Sequence, residues 1–309
     1  RLAEAEQPEL VEGSERRPYD SIRRWATERS ALFIPVSSCT REGIEQLKEA
    51  LGELSPTGLS EPQIIGDLIT GGDIIVLVVP IDKAAPKGRL ILPQVMTIRD
   101  ALDHDAIAVT VKERELRACL DSLGRKPKLV ITDSQAFLKV DADTPRDIQM
   151  TSFSILMARY RGDLASFVAG AAAVDKLKIG DKVLISEGCT HHQQADDIGR
   201  VQIPRWLRQL VGGELEFGFS SGRDFPPDFD RYDLIVHCGG CMINRREVLY
   251  RQRVASEAGV PMTNYGVLLA KVHGILDRAV EPFPLAKLAL SESAQYPSPR
   301  RKLRVNRTT

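Results

Sequence analysis

The sequence concentrates its metal-binding side chains in one window, between residues 188 and 241. The chain contains five cysteines and five histidines in all, and three of each fall in this window. They are Cys189, His191, His192, His237, Cys238 and Cys241. Cys238 and Cys241 form a C-x-x-C pair, a spacing that lets two sulfur atoms face one metal across a tight turn. The window therefore indicates a site whose chemistry depends on thiolates.

The C-x-x-C pair encloses two glycines and is followed by a predicted helix. Gly239 and Gly240 lie between the two cysteines, where glycine permits a positive φ and leaves backbone N–H groups free to point at sulfur. A helix is predicted from Met242 onward. Cys241 would then lie near a helix N-terminus, where the helix dipole favours the thiolate over the thiol.

Three kinds of site could use these residues. A redox dithiol would use only Cys238 and Cys241, and would give no role to Cys189 or to the histidines. A structural zinc site would take three cysteines and one histidine as a closed tetrahedral set. A 4Fe-4S cluster would accept three cysteines and leave one iron open to an exchangeable ligand. Composition and spacing disfavour the dithiol but do not separate zinc from iron–sulfur.

Each half of the motif follows a predicted buried strand. Residues 181–185 precede Cys189 and residues 233–236 precede His237, and both stretches are largely apolar. Two such strands lying parallel and side by side would bring their carboxyl ends together, at the edge where open α/β sheets hold their ligands. We therefore expect the two halves, which are far apart in sequence, to meet in space.

The complete pattern is C-x-H, a gap of 45 residues and then H-C-x-x-C. It resembles the signature of the HydF family, the GTPases of FeFe-hydrogenase maturation, and the flanking residues 187–192 and 236–242 are similar to that family as well. The resemblance implies a 4Fe-4S cluster bound by Cys189, Cys238 and Cys241. The fourth iron should carry an exchangeable ligand. His191 and His237 are the candidates, because imidazole binds iron more weakly than thiolate does.

The resemblance also implies a function. Members of the family act as scaffold and carrier for the di-iron subcluster of the hydrogenase active site. This chain would accept a di-iron precursor from radical SAM maturases and pass it to apo FeFe-hydrogenase. The alternative function is that of a structural zinc protein which serves as an interaction module.

An anionic precursor with cyanide and carbonyl ligands would need positive charge and N–H donors beside the open iron. Arg245 and Arg246 lie about one helical turn after Cys241, and the same predicted helix offers its N-terminal amides to an anion. Three further arginines lie between the motif halves and could close the pocket from the other side: Arg200, Arg205 and Arg208. We therefore expect Arg245 and Arg246 to bind the cargo.

The composition is that of an ordinary globular protein. The 309 residues are 43% hydrophobic and 27% charged with a formal net charge of zero, which gives no indication of binding to nucleic acid or to a membrane surface. No apolar run approaches the ~20 residues of a membrane helix. The low cysteine content indicates a reducing compartment, so we expect a cytoplasmic protein in which Cys39 and Cys119 are buried.

The first residues resemble the end of a Ras-like G domain. A strand is predicted over residues 32–36, a Ser-Ser turn follows, and residues 41–51 have the apolar spacing of an amphipathic helix. Neither a G-x-x-x-x-G-K-[ST] phosphate loop nor an N-K-x-D tetrapeptide occurs in the sequence. Residues 1–57 are therefore interpreted as the C-terminal remnant of a G domain. GTP would bind only through the missing part, and we expect no GTP hydrolysis from the residues present.

Two parallel α/β layers are predicted beyond this remnant. Residues 66–148 alternate strands and helices as a small βαβαβ unit, and so short a unit buries little core unless a second copy pairs with it. The family resemblance implies that this unit is the dimerisation domain of a homodimer. Residues 144–147 are predicted to be a hinge. Residues 149–285 form the predicted iron–sulfur cluster domain, and residues 286–309 a flexible tail.

Overall fold

A computed structural model of the chain describes residues 19–54, 62–80, 89–188, 197–222 and 224–295. The chain divides into two units, Arg1–Glu61 and Pro62–Thr309. The predicted α/β class is confirmed, since the second unit contains two four-stranded parallel sheets with helices between their strands. None of the described helices has both the length and the apolar character needed to cross a membrane.

The first unit contains two helices among its described residues, α1 (Asp20–Thr27) and α2 (Ile44–Leu54). The strand predicted over residues 32–36 is wrong, because this segment is irregular and pairs with no strand among the described residues. The helix predicted from residue 41 begins at Ile44. The preceding Gly43 has a φ of +73°, and a Cβ there would lie 2.1 Å from the carbonyl oxygen of Pro35. Cys39 is exposed rather than buried.

The first sheet of the second unit consists of β1 (Ile74–Val78), β2 (Ile107–Val111), β3 (Leu129–Thr132) and β4 (Gln149–Ser152). Its helices are α3 (Leu92–Asp103), α4 (Leu116–Ser122) and α5 (Phe137–Asp143). All strand pairs are parallel, in the order β2-β1-β3-β4. β1 and β3 are buried along their whole lengths, as expected for central strands covered on both faces.

The fourth strand extends this sheet beyond the predicted boundary at residue 148. β4 pairs in parallel with β3 along its whole length. Its sequence, QMTS, lacks the apolar run that predicts a central strand, so it was not recognisable from its own residues. The predicted hinge just before it is fixed by hydrogen bonds. Thr144 is buried, and Arg278 donates to the carbonyl oxygens of Thr144 and Pro145 at 2.9 and 2.7 Å.

The second sheet consists of β5 (Lys182–Glu187), β6 (Glu216–Ser221), β7 (Leu234–His237) and β8 (Met262–Asn264). Its strands are also parallel, in the order β6-β5-β7-β8. The described residues of this part of the unit form seven α-helices: α6 (Phe153–Arg161), α7 (Leu164–Ala171), α8 (Ile203–Val211), α9 (Arg245–Glu257), α10 (Tyr265–Val272), α11 (Leu276–Ala279) and α12 (Pro284–Gln295). β5 and β7 are central and adjacent, so the two strands that carry the cysteine motif lie side by side.

The end of the described chain is helical where a flexible tail was predicted. α12 covers residues 286–295 of that predicted tail and packs against α7, with Ala286 buried at the contact. Burial of this apolar face explains the difference, because it holds the helix on the second sheet layer. The Arg-rich residues 296–309 lie outside the described residues.

One hydrophobic core continues from the first sheet to the second. It includes Val76 and Ile131 of the first sheet together with Leu184 and Ile235 of the second. α6 follows β4 directly and packs against α3, α9 and α10, so it joins the two layers. The two sheets are therefore parts of one packed body, and the strand ends described next rest on elements from both.

Candidate metal centre

The two halves of the cysteine motif meet at the carboxyl ends of β5 and β7. The strands pair in parallel with Ser186 opposite His237, so Gly188 and Cys238 emerge from them side by side. The backbone N–H of Gly188 donates to the sulfur of Cys238 at 2.9 Å. The predicted meeting of the two segments is therefore confirmed. Cys189, His191 and His192 lie outside the described residues.

Cys238 is held by hydrogen bonds through its backbone and through its sulfur. Its N–H donates to the carbonyl oxygen of Ser186 at 3.0 Å. Its sulfur accepts from the N–H groups of Gly188 at 2.9 Å and Gly240 at 3.3 Å. Donors that point at sulfur stabilise the thiolate relative to the thiol. The sulfur of Cys238 thus has two backbone donors directed at it.

Only one of the two glycines in the C-x-x-C turn uses the backbone freedom of glycine. Gly240 has a φ of +64°, which other residues rarely adopt, whereas Gly239 lies outside this region. A Cβ on Gly239 would meet the Cβ of Met157 at 3.5 Å, an ordinary contact. The turn geometry that directs an N–H at Cys238 thus depends on Gly240.

The carbonyl oxygen of Cys238 accepts two side-chain hydrogen bonds. One comes from Nδ1 of His237 at 2.7 Å and the other from Nδ2 of Asn264 at 3.2 Å. Asn264 ends β8 and caps α10, where its Oδ1 accepts from the N–H of Gly266 at 2.8 Å. The motif loop is therefore fixed to the end of a third strand.

Cys241 lies farther from a helix than predicted. α9 begins at Arg245 and is capped by Asn244, whose side chain accepts from the N–H of Glu247 at 2.8 Å. The dipole effect falls off within the first turn of a helix, so it does not account for a thiolate at Cys241. Burial raises the pKa of the Cys241 thiol, and its own backbone N–H, the nearby Arg161 and the backbone N–H of Met242 oppose this rise.

His237 is fully buried, and both of its ring nitrogens are engaged. Nδ1 pairs with the carbonyl oxygen of Cys238, and Nε2 lies 3.3 Å from Nη1 of Arg251. A carbonyl can only accept and a guanidinium can only donate, so Nδ1 carries the proton and Nε2 accepts. Burial is the main cause that lowers the pKa of His237 to about 4. The ring is therefore neutral and leaves no nitrogen free for iron in this arrangement.

Arg251 is a site residue that sequence reasoning missed. Its side chain is 0% exposed, and it donates to Oε1 of Glu247 at 2.8 Å, Oγ of Ser186 at 3.3 Å and the carbonyl oxygen of Gly222 at 2.9 Å. Its guanidinium also lies 5.2 Å from the ring centroid of Phe225. Helical spacing could have identified it, because α9 buries Val248, Arg251, Gln252 and Ala255 on one face.

The two arginines predicted to bind cargo have different surroundings. Nη1 of Arg245 donates to the carbonyl oxygens of Arg159, Tyr160 and Gly162 at 3.1, 2.8 and 3.0 Å. It therefore caps the carboxyl end of α6, a structural role that the sequence did not indicate. Arg246, the next residue, is exposed.

Two of the three crossover arginines lie at opposite ends of the second sheet. Arg200 is at the site, since its Nη2 lies 3.4 Å from Oγ of Ser221, the last residue of β6. Arg208 instead forms a 2.8 Å ion pair with Glu214, before the start of β6. It is thus at the amino end of the strand and cannot close a pocket at the carboxyl end. Arg205 is exposed.

A buried tyrosine and a carboxylate complete this edge of the sheet. Glu187, the last residue of β5, is 4% exposed and accepts from the hydroxyl of Tyr265 at 3.4 Å. Burial raises the pKa of Tyr265 well above its usual value, with additional contributions from Cys238, Glu187 and Asp197. A Cβ on Gly199 would lie 2.2 Å from the tyrosine hydroxyl oxygen, so the crossover packs closely here.

The residues present fit an iron–sulfur centre in their donor chemistry. Within the described ranges, no three His, Cys, Asp or Glu side chains form a metal site, and the third predicted thiolate, Cys189, lies outside those ranges. The sulfur of Cys238 accepts hydrogen bonds from two backbone N–H groups, and hydrogen bonds to sulfur are a common feature of iron–sulfur sites. Cys241 adds a second, partly buried thiol three residues later.

Solved structures with some similarity to this chain share little of its geometry. One is an NtrC family transcriptional regulator from Clostridium acetobutylicum, with 8% identity over 67% of this chain and 97% of its own, and a TM-score of 0.22. Another is an ABC transporter solute-binding protein from Burkholderia multivorans, with 11% identity over 74% of this chain and 94% of its own, and a TM-score of 0.22. Such TM-scores support no argument about fold. No curated protein matches the chain.

Two models of one family match consecutive parts of the second unit. The hydrogen maturase F dimerization domain matches residues 64–162, which contain the first sheet and α6. The hydrogen maturase F tetramerization domain matches residues 165–282, which contain the second sheet and the cysteine motif. Together the two ranges cover more than half of the chain.

Proposed function

Because this chain belongs to the hydrogenase maturase F family and so serves hydrogenase maturation, we propose that it binds a 4Fe-4S cluster through Cys189, Cys238 and Cys241. The observation that carries the proposal is the 2.9 Å hydrogen bond from Gly188 to the sulfur of Cys238. Gly188 is the residue directly before Cys189 in the sequence, and Cys238 and Cys241 follow the neighbouring strand β7. This contact supports a shared ligand set for the two halves of the motif.

Three thiolates leave one iron of the cubane open to an exchangeable ligand. His191 and His237 were the candidates from sequence. We propose His191 for this position, because the hydrogen bonds of His237 occupy both of its ring nitrogens. A cluster with three cysteines and one weaker ligand is suited to exchange that ligand for an incoming group.

The proposed role is that of a scaffold and carrier. The chain would accept an anionic di-iron precursor from radical SAM maturases, hold it beside the open iron and transfer it to apo FeFe-hydrogenase. An exposed arginine near the strand ends supports this role, since Arg246 lies at the start of α9. Arg200 lies beside the end of β6, where it also pairs with the carboxylate of Glu187 at 3.6 Å. Arg245 contributes by fixing α6 against the start of α9, so its effect on cargo would be indirect.

Self-association follows from the family, whose two matched domains are named for dimerization and tetramerization. We propose that residues 64–162 form a homodimer through α3 and the edge strand β2. Val95 and Leu102 on α3 and Ile107 on β2 are 47%, 56% and 46% exposed, so both elements present apolar side chains to water. Burial of these side chains against a second copy would remove them from water.

The described helices α1 and α2 include no phosphate-binding loop. We therefore propose that residues 1–57 act only as part of a larger GTP-binding domain and that these residues alone do not hydrolyse GTP. Both the cluster and its delivery role suit the reducing environment of the cytoplasm.

The test is anaerobic reconstitution of the purified chain with iron and sulfide. We expect about four iron and four sulfide per chain and absorption near ~400 nm, as for a cubane cluster. Reconstitution in the presence of competing zinc tests the alternative of a structural zinc site, because a closed zinc site is colourless and contains no sulfide. Stoichiometric zinc that iron and sulfide cannot replace would refute the proposal.

A further inference from the structure

We propose that Arg251 is a positioning residue for the metal centre: it holds His237 away from the metal and places a permanent positive charge beside His237, the residue before Cys238. The inference rests on the proposed cluster function. It concerns a residue outside the cysteine motif, and it assigns His237 a role other than that of a ligand.

Arg251 is buried at the point where three strands end. Its partners are Ser186 near the end of β5, Gly222 directly after β6 and His237 at the end of β7. Glu247, one turn earlier on α9, accepts from its Nε at 2.8 Å. Burial of an arginine costs several kcal/mol unless its donors are satisfied, and these hydrogen bonds offset that cost. The guanidinium therefore has a single well-defined position.

A continuous chain of hydrogen bonds leads from Arg251 to the cysteine. Nη1 of Arg251 lies 3.3 Å from Nε2 of His237, and Nδ1 of His237 donates to the carbonyl oxygen of Cys238 at 2.7 Å. The carbonyl oxygen of Cys238 keeps the proton on Nδ1, and the guanidinium occupies the unprotonated Nε2 that results. Without Arg251, Nε2 would be a free imidazole nitrogen on the residue next to a metal-binding cysteine. His237 could then turn and compete for the open iron.

The same guanidinium affects the electronic state of a cluster. Arginine remains protonated at all ordinary pH values, and a buried charge is screened less than an exposed one. Glu247 pairs with this guanidinium, but its side chain is 31% exposed while that of Arg251 is 0% exposed, so water screens the carboxylate more strongly than the arginine. A positive charge beside His237 would stabilise the reduced, more negative form of a cluster bound here. It should therefore raise the midpoint potential relative to a variant without the charge.

The experiment compares Arg251→Met, Arg251→Lys and the double variant Arg251→Met/His237→Gln in the full chain after anaerobic reconstitution. Arg253→Met is the matched control, because Arg253 lies on the same helix with its side chain 65% exposed. The midpoint potential of each reconstituted protein is measured by a redox titration with mediators. Pulsed electron paramagnetic resonance of the reduced cluster detects nitrogen bound directly to iron.

We expect Arg251→Met to load iron and sulfide, to have a lower midpoint potential than the parent and to gain a nitrogen coupling. The double variant should lose that coupling, and Arg253→Met should match the parent. Arg251→Lys keeps the positive charge but loses the planar guanidinium with its several N–H donors. The midpoint potential of this variant should therefore stay closer to that of the parent, while the nitrogen coupling appears. A loaded Arg251→Met with the parental potential and no nitrogen coupling would overturn the inference.

A measurement without metal separates this inference from the proposed function. Long-range proton–nitrogen NMR of the apo chain should show His237 protonated at Nδ1 in the parent, because the carbonyl oxygen of Cys238 accepts from it. In Arg251→Met the nitrogen-15 shift of Nε2 should move toward that of an imidazole nitrogen that accepts no hydrogen bond. An unchanged Nε2 shift in folded Arg251→Met would contradict the positioning role. If the parent chain takes up no iron and sulfide, the cluster proposal fails, and this Nε2 shift still decides whether Arg251 holds His237. If Arg251→Met does not fold, Arg251→Lys supplies the comparison.

Discussion

Gly188 donates its backbone N–H to the sulfur of Cys238, 50 residues later in the sequence, at 2.9 Å. The contact exists because β5 and β7 are parallel neighbours and both end at this edge of the sheet. It makes the second half of the cysteine motif dependent on the backbone of the first half. Changes on either strand should therefore affect metal binding, even where no ligand is removed.

Removal of any one of the three motif thiolates should abolish the cluster. Two thiolates do not hold a cubane stably, so Cys189→Ala, Cys238→Ala and Cys241→Ala should each lose iron and sulfide after reconstitution. Cys39→Ala and Cys119→Ala are the controls and should keep the parental content, since Cys39 is exposed and Cys119 lies on α4 of the first sheet. Retention of four iron per chain in Cys241→Ala would show that the motif is not the ligand set.

The two glycines of the C-x-x-C turn should respond differently to substitution. Gly240→Ala places a side chain at a φ of +64°, which costs about 1–2 kcal/mol and shifts the N–H that points at Cys238. Gly239→Ala meets only an ordinary contact at 3.5 Å and should be close to neutral. Chelator challenge of the reconstituted proteins measures the difference as the rate of iron loss. Equal rates for the two variants would contradict the turn geometry described above.

Arg278 should be essential for the connection between the two sheets. Its side chain is 8% exposed and contacts Oδ1 of Asp141 at 2.5 Å in addition to the carbonyl oxygens before β4. Arg278→Met leaves these groups without their donor, so the free energy of unfolding should fall by about 3–5 kcal/mol. Urea denaturation of the apo chain, followed by circular dichroism, provides the measurement.

Arg146 is the control for that experiment, because it contacts the same carboxylate of Asp141 at 3.2 Å with a side chain that is 75% exposed. Exposed ion pairs contribute at most about 1 kcal/mol. Arg146→Met should therefore change the free energy of unfolding little. If both variants lost similar amounts of unfolding free energy, the buried contacts of Arg278 would contribute no more to stability than an exposed ion pair does.

Gly170 should resist replacement even by alanine. Alanine usually stabilises a helix relative to glycine by about 1 kcal/mol. At Gly170 on α7, however, a Cβ would lie 2.0 Å from the carbonyl oxygen of Met262 on β8. Gly170→Ala should therefore lower the free energy of unfolding by about 1–3 kcal/mol. Gly124→Ala, with no heavy atom within 4 Å of the new Cβ, should not show this loss in the same urea titration.

The proposed dimer surface makes a prediction about molecular mass in solution. Leu102→Glu and Ile107→Glu place charges on the exposed apolar surface of α3 and β2, so the double variant should sediment at a lower mass than the parent. Leu138→Glu is the control, because Leu138 is 55% exposed on α5. A double variant that sediments as the parent does would place the dimer contact elsewhere.

The sequence alone was sufficient to predict that the two segments of the cysteine motif meet at one edge of a sheet. Apolar runs before Cys189 and His237 predict two buried parallel strands, and parallel strands bring their carboxyl ends to one edge. The α/β class follows from the same alternation of apolar runs and helical spacing. These features are local and periodic, which is why they can be read without tertiary contacts. β4 was not predicted because its four residues form neither an apolar run nor an alternating pattern of apolar and polar residues.

The roles of the individual polar residues were decided by tertiary structure. Arg245 caps α6 through carbonyl oxygens more than 80 residues earlier in the chain, and Arg251 is buried where three strands end. His237 has no free ring nitrogen because one partner is on α9 and the other is its own neighbour. Sequence supplies the side chain and its approximate position. Which donors and acceptors surround it depends on contacts between distant segments, and these contacts form only when the sheets and helices pack.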